Sequence, residues 1–185
     1  MGYKNLSLNL QEYKLGFIQE NIEMVAYTLV CFFVPFMLAH PQFLVGTMVN
    51  AALILGALNV RTYKLLPIII MPSAGVMTAG MIFGQFNVFM LYMMPFIWAG
   101  NFVLVYAFKR LNLLKKINKW IVLGIGASAK TIFLFSIAFV LVKSAVLPAV
   151  FLTAMGLLQL YTAISGGIAA FGIQYFKKRY FKTLQ

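Results

Sequence analysis

Charged residues fall at intervals along this chain, with long apolar runs between them. No acid, lysine or arginine occurs from residue 24 to 60, from 65 to 108 or from 144 to 176, and the run 120–142 is broken only by Lys130. A helix that crosses a bilayer needs about 20 apolar residues, so each of the first two runs suits two spans and a turn. His40-Pro41-Gln42 interrupts the first run, and Phe83-Gly84-Gln85-Phe86-Asn87 the second. Pro, Gly and Asn favour turns at such places. The pattern predicts an all-α polytopic membrane protein with six spans, at about 24–39, 43–60, 65–83, 88–108, 120–142 and 145–173. Barrel strands would instead be about 10 residues of alternating polarity. Pro148 is expected to set an outer interfacial turn apart from the last span.

Residues 1–23 have another character. Leu6, Leu8, Leu10, Tyr13, Leu15, Phe17 and Ile18 mix with Lys4, Glu12, Lys14 and Glu20, which suits an interfacial amphipathic helix from about residue 10. Lys14 and the acids interrupt any run resembling a cleavable signal. Three regions follow: a cytoplasmic or interfacial segment 1–23, a six-helix transmembrane domain 24–176 and a basic cytoplasmic tail 177–185.

Composition strengthens the membrane reading. Of 185 residues, 63% are hydrophobic and 10% charged, with a mean hydropathy of +0.92, whereas soluble domains are nearer 45–50% apolar and about 25% charged. Lys and Arg number 15 against 3 acids, giving a net charge of +12. There is no Asp, and Glu12, Glu20 and Glu23 all precede the first expected span. Carboxylate proton relays, paired-carboxylate hydrolysis and carboxylate metal sites need acids in the core. His40 is the single histidine and Cys31 the single cysteine, so no Ser/His/Asp or Cys/His/Asp triad, zinc cluster or internal disulfide can be assembled. The chain is expected to be neither an enzyme nor a cofactor or metal carrier.

Position decides what the positive charge means. With the N-terminus in the cytoplasm, Lys4, Lys14, Arg61, Lys64, the five cations from Lys109 to Lys119, and Lys177, Lys178, Arg179 and Lys182 all lie inside. Lys143 alone lies outside, and Lys130 lies within a span. This asymmetry follows the positive-inside rule, places both termini in the cytoplasm and makes the cations topology markers near anionic headgroups rather than a nucleic-acid surface.

Lys130 is the most unusual residue. It lies about 15 Å inside the cytoplasmic boundary at 1.5 Å per residue, near the midplane of a hydrocarbon core about 30 Å thick. A lysine there costs about 2.5–3.5 kcal/mol on insertion scales, and no neighbouring span carries an acid to pair with it. Two readings stand: a cation at the floor of a polar cavity facing an anionic ligand, or a lysine bonded to backbone carbonyls and water. Asn101, Gln159 and Thr162 share its depth. Met155, Gln159, Thr162 and Gly166 fall on one helix face, and Trp98 and Asn101 share another. These residues form either a substrate pocket among spans four, five and six, built from Trp98, Asn101, Lys130, Gln159 and Thr162, or ordinary interhelical hydrogen bonds. The stretch Gly124 to Thr131 mimics a phosphate loop, but Ala129 stands where its last glycine belongs.

Other features carry less. Gly80-x-x-x-Gly84, Ala52-x-x-x-Gly56 and Ala163-x-x-x-Gly167 suit close helix packing. Phe86, Phe89, Tyr92 and Phe96 suit a lipid-interface belt or the wall of an outward pocket. His40 reads as a solvated loop residue.

Met94-Pro95-Phe96-Ile97-Trp98-Ala99-Gly100-Asn101 resembles the fourth-span pattern of substrate-binding S components of energy-coupling-factor vitamin transporters. Ala127-Ser128-Ala129-Lys130 is similar to their fifth span, and Met155-Gly156-Leu157-Leu158-Gln159-Leu160-Tyr161-Thr162-Ala163 with Gly166-Gly167 resembles a sixth-span pattern in some members. The resemblance covers residues 43–175. It implies six spans, cytoplasmic termini and a subunit of a prokaryotic cell membrane that takes a vitamin or related micronutrient from outside. It also implies partners, a transmembrane coupling protein and two cytoplasmic ATPases. The first span, Ala26 to Pro35, departs from the family in lacking the Ala-x-x-x-Ala docking motif. A non-transporting membrane scaffold or assembly subunit, and a self-sufficient facilitator, are the alternative functions. An inverted repeat would support the facilitator, and the sequence holds no convincing one.

Overall fold

The computed structural model describes residues 7–38, 41–80 and 89–183, with side chains to residue 179. His40, Gly84, Phe86 and the turn from Phe83 to Asn87 lie outside the described residues, as does the end of the basic tail. The architecture is all-helical, with no strand among the described residues. The main elements are α1 Phe17–Met37, α2 Gln42–Asn59, α3 Leu65–Ala79, α4 Met90–Ala107, α5 Lys119–Lys143, the short α6 Val150–Met155 and α7 Leu157–Thr183. A π-helical turn, Phe108–Leu114, extends α4. Six helical segments are long and apolar enough to cross a membrane: Phe17–Met37, Gln42–Asn59, Thr62–Ala79, Met90–Leu114, Lys119–Lys143 and Val150–Arg179. The chain is a multi-pass membrane protein by this criterion.

Two segments differ from the expected boundaries. The residues before the first span do not form a helix from about residue 10. Ser7–Asn9 makes one 3-10 turn, and α1 begins at Phe17, its entry fixed by the Gly16 N–H bonded to Gln19 Oε1 at 3.4 Å. Glu20 and Glu23 therefore lie inside α1. In the last segment Pro148 stands in the turn that precedes the span, as expected, and a further break falls at Gly156, between α6 and α7. A side chain at Gly156 would meet the Leu152 carbonyl at 2.6 Å and the Phe135 ring at 3.0 Å, so the break needs glycine to sit against α5.

Close helix contacts follow the small residues. A Cβ at Gly46 would meet Thr162 at 2.7 Å, and one at Gly166 would meet Asn50 and the Thr47 carbonyl at 2.7 Å, so α2 and α7 pack backbone against backbone. Gly75 brings α3 against the Phe32 carbonyl of α1, and Gly167 brings α7 against Leu123 of α5. Gly80 serves differently: it ends α3 in a left-handed conformation, φ 62°, which glycine adopts without strain.

Alternation of direction gathers the ends carrying Arg61, Lys64, Lys109, Lys119 and Lys177 at one side, the basic end. One apolar cluster, including Leu53, Ile54, Leu58, Ile68, Leu104, Phe108 and Val122, fills the half near that end. A second, with Met93, Leu134, Phe151 and Met155, fills part of the opposite, far half. Large apolar side chains such as Ile22, Leu29, Phe33, Ile132 and Ile168 stand exposed around the outside. In a soluble protein that would be a liability; against acyl chains it is the expected surface.

Candidate functional site

A cavity of about 100 Å³ lies between the two clusters, in the far half. Each of the main helices α1 to α5 reaches it, and α6 and α7 close it. Pro35 comes from α1, Gly46 and Asn50 from α2, Pro72 and Ser73 from α3, Ile97 and Asn101 from α4, Lys130 from α5, and Met155, Gln159 and Thr162 from the broken last segment. Lys130 is 2% exposed. Counted from Lys119, it lies about 16 Å along α5. Its Nζ donates to Asn50 Oδ1 at 2.7 Å. Asn50 Nδ2 in turn donates to the Gly46 carbonyl at 2.9 Å and to Thr162 Oγ1 at 3.2 Å, and Thr162 Oγ1 donates to the Gln159 carbonyl at 3.2 Å. This relay ties α5, α2 and α7 together. Asn50 is oriented by its amide N–H bonds, so its oxygen faces the ammonium.

Of the five expected pocket residues, four line this cavity: Asn101, Lys130, Gln159 and Thr162. Asn101 is 2% exposed and donates to the Ile69 carbonyl at 3.0 Å. That carbonyl stands one residue from the Ile68 carbonyl, which Pro72 leaves without an N–H donor. Trp98 is not part of the lining; it packs against the cluster nearer the basic end, with its Nε1 buried and without a partner. Phe89, Tyr92 and Phe96 also stand outside the lining, and Tyr92 is exposed.

Asn50 and Ser73 are buried polar residues of the lining that were not anticipated. Asn50 is the direct partner of Lys130. Its signal was its isolation: it is the polar amide in the middle of the apolar run 43–58. Ser73 follows Pro72, is 3% exposed, and its Oγ has no hydrogen-bond partner. Serine is common in membrane helices, and nothing in its local pattern marks it.

The basic end is built from the residues set aside as a flanking segment. The Glu20 carboxylate, 1% exposed, accepts from the Arg61 backbone N–H at 2.8 Å, from the Arg61 guanidinium at 2.7 Å and from Lys64 Nζ at 3.2 Å. Its hydrogen bond pushes the Arg61 pKa further up. This holds the α2–α3 turn, where Thr62 sits at φ 46°, an unusual conformation for a β-branched residue. Fully buried Lys109 donates to the carbonyls of Leu10 and Val60. Gln174 donates to Glu12 at 2.9 Å and Asn59 at 2.8 Å, and Lys177 pairs with Glu23. Burial and the neighbouring Glu12 carboxylate push the Tyr13 phenol up to about 12. A cavity of about 350 Å³ opens here beside Trp120 and Phe171, but Glu12, Asn112, Asn118 and Gln174 in its wall already bond within the protein. Among the described residues no group of His, Cys, Asp or Glu could hold a metal ion.

Comparison of the chain with protein-family models, with curated proteins and with solved structures finds no match in any of the three.

Proposed function

We propose that this protein is the membrane-embedded substrate-binding subunit of an ATP-driven energy-coupling-factor importer, capturing a vitamin or related micronutrient from outside a prokaryotic cell. The observation that carries the reading is the far-half cavity with Lys130 in its wall. A buried ammonium without a carboxylate is costly in a membrane, and an anionic ligand would relieve that cost. The positive-inside distribution turns the basic end to the cytoplasm and the cavity to the outer half, where a captured molecule would enter. Asn101, Gln159 and Thr162 add polar contacts, and Trp98 supports α4 from behind the site.

The sequence has no Asp and departs from the phosphate-loop pattern at Ala129, so ATP would be bound by partner chains: two cytoplasmic ATPases joined through a transmembrane coupling protein. The broad apolar face of α1, with Ile18, Ile22, Val25 and Leu29 exposed, is available to lipid or to that coupling protein. Capture of the tagged protein from its native membrane, with identification of what accompanies it, tests the reading. Recovery of an ATPase pair is the expected result. Other membrane partners without ATPases would favour a scaffold or assembly subunit, and uptake by the protein alone a facilitator.

A further inference from the structure

The cavity wall narrows the chemistry of what it would hold. Lys130 and Ser73 are among the donors there with capacity left. The Lys130 ammonium carries three protons, and Asn50 is its hydrogen-bond partner among the described residues. Ser73 Oγ is buried in the same wall without a partner, and buried polar groups are seldom left so. The chain's own carboxylates are committed at the basic end: Glu12 to Gln174, Glu20 to Arg61 and Lys64, and Glu23 to Lys177. No side-chain carboxylate of this protein is therefore left to serve as the counter-charge for Lys130.

Charge and size set limits on the ligand. One cation in an apolar wall balances one negative charge, whereas a phosphate monoester brings about −1.5 to −2 at pH 7 and would leave a surplus buried. An apolar cavity of about 150 Å³ holds a benzene molecule, so this partly open cavity of about 100 Å³ encloses a smaller group or one end of a longer molecule. The apolar wall is aliphatic, with Val45, Val49, Val76 and Ile97 among its residues, and no aromatic ring belongs to the described lining. Among the described residues a planar ring would find no stacking partner there.

We infer that the cavity takes a small aliphatic monocarboxylate, or the carboxylate end of a longer aliphatic acid, whose oxygens accept from Lys130 Nζ and Ser73 Oγ. Asn50 is a positioning residue that holds the ammonium toward the void. The inference rests on the reading of this cavity as a ligand site.

The test uses the full chain in lipid nanodiscs, titrated with acetate, butyrate and hexanoate, with their amides, and with benzoate and inorganic phosphate. Saturable binding of at least one aliphatic acid is expected, with its amide weaker by about tenfold or more, the loss of one charge-assisted hydrogen bond. Ser73→Ala should weaken the acid about fivefold to tenfold without lowering the melting temperature, and Lys130→Gln should erase the preference for acid over amide. Equal binding of acid and amide, tighter binding of benzoate or phosphate, or no binding of any probe to folded protein would overturn the inference. So would unchanged acid affinity in Ser73→Ala. If Lys130→Gln does not fold, the acid–amide comparison and Ser73→Ala still decide. Capture of an ATPase pair without carboxylate binding rejects the ligand class alone. Carboxylate binding without such a pair rejects the importer reading alone.

Discussion

Lys109 and Lys130 are the two most deeply buried of the described lysines, and their surroundings differ in kind. Lys109, at the basic end, donates to two backbone carbonyls, one from the N-terminal segment and one from the end of α2. Lys130, in the far half, donates to one amide oxygen and lines a void. Around Lys109 the ionic and amide groups are matched to one another across long sequence distances. In the cavity wall that Lys130 shares, Ser73 Oγ has no partner and lies beside open space, whereas the unpartnered Ser7 Oγ and Trp98 Nε1 nearer the basic end do not line this cavity. A satisfied polar network rigidifies, whereas a partly satisfied one is costly unless something completes it. On the proposed reading, the basic end holds the helices together and the far half receives a ligand.

If that division is right, substitutions at the basic end should change stability, and substitutions at the cavity should change binding. The largest stability loss is expected for Glu20→Gln. Removing one partner from a buried pair costs about 3–5 kcal/mol, and the half-exposed Arg61 keeps this case near the lower figure. A fall in melting temperature of about 6–12 °C in detergent is the expected readout. An unshifted melting temperature would show that Glu20 does not hold the α2–α3 turn.

Lys109→Met comes next, at about 2 kcal/mol, because it leaves the Leu10 and Val60 carbonyls without their donor. Hydrogen exchange should show residues 7–16 released while α5 stays protected; uniform protection would contradict the role of Lys109. Gly166→Ala should cost about 1.5 kcal/mol by overpacking. It presses on Asn50 as well, so it should also weaken ligand binding, and a variant that loses stability without losing binding would separate Asn50 from the site. The smallest stability change is expected for Lys130→Met, within about 1 kcal/mol of the parent, since the Asn50 oxygen loses its donor but a buried ammonium without a carboxylate partner is removed with it. A loss as large as that of Lys109→Met, seen by thermal unfolding, would make the two lysines equivalent and end the comparison.

The sequence showed the spans more clearly than their ends. Apolar runs between charges located six segments, because the length of an apolar run is a local property. The start of α1 was hidden for the opposite reason. Glu20 and Glu23 read as flanking acids until Arg61, 41 residues away, and Lys177, 154 residues away, are brought to them. The break at Gly156 was likewise invisible locally, since it is set by the approach of α5.

At the site, helical periodicity grouped Gln159 with Thr162, and both reach the cavity. The same reasoning joined Trp98 to Asn101, yet Trp98 packs against the core cluster nearer the basic end while Asn101 reaches the cavity, a choice set by the neighbouring helices. Asn50 and Ser73 carried no periodic partner to announce them. Depth in the membrane marked Lys130 from the sequence, but only the packing of α2 against α5 shows which residue meets it.

The central claim is that Lys130 faces a ligand. Its most direct test is the affinity of the purified protein for the small molecule that co-purifies with it, identified by mass spectrometry and measured for the parent and for Lys130→Ala. The account predicts a loss of tenfold or more with folding retained, about the worth of one charge-assisted hydrogen bond. Unchanged affinity would contradict it.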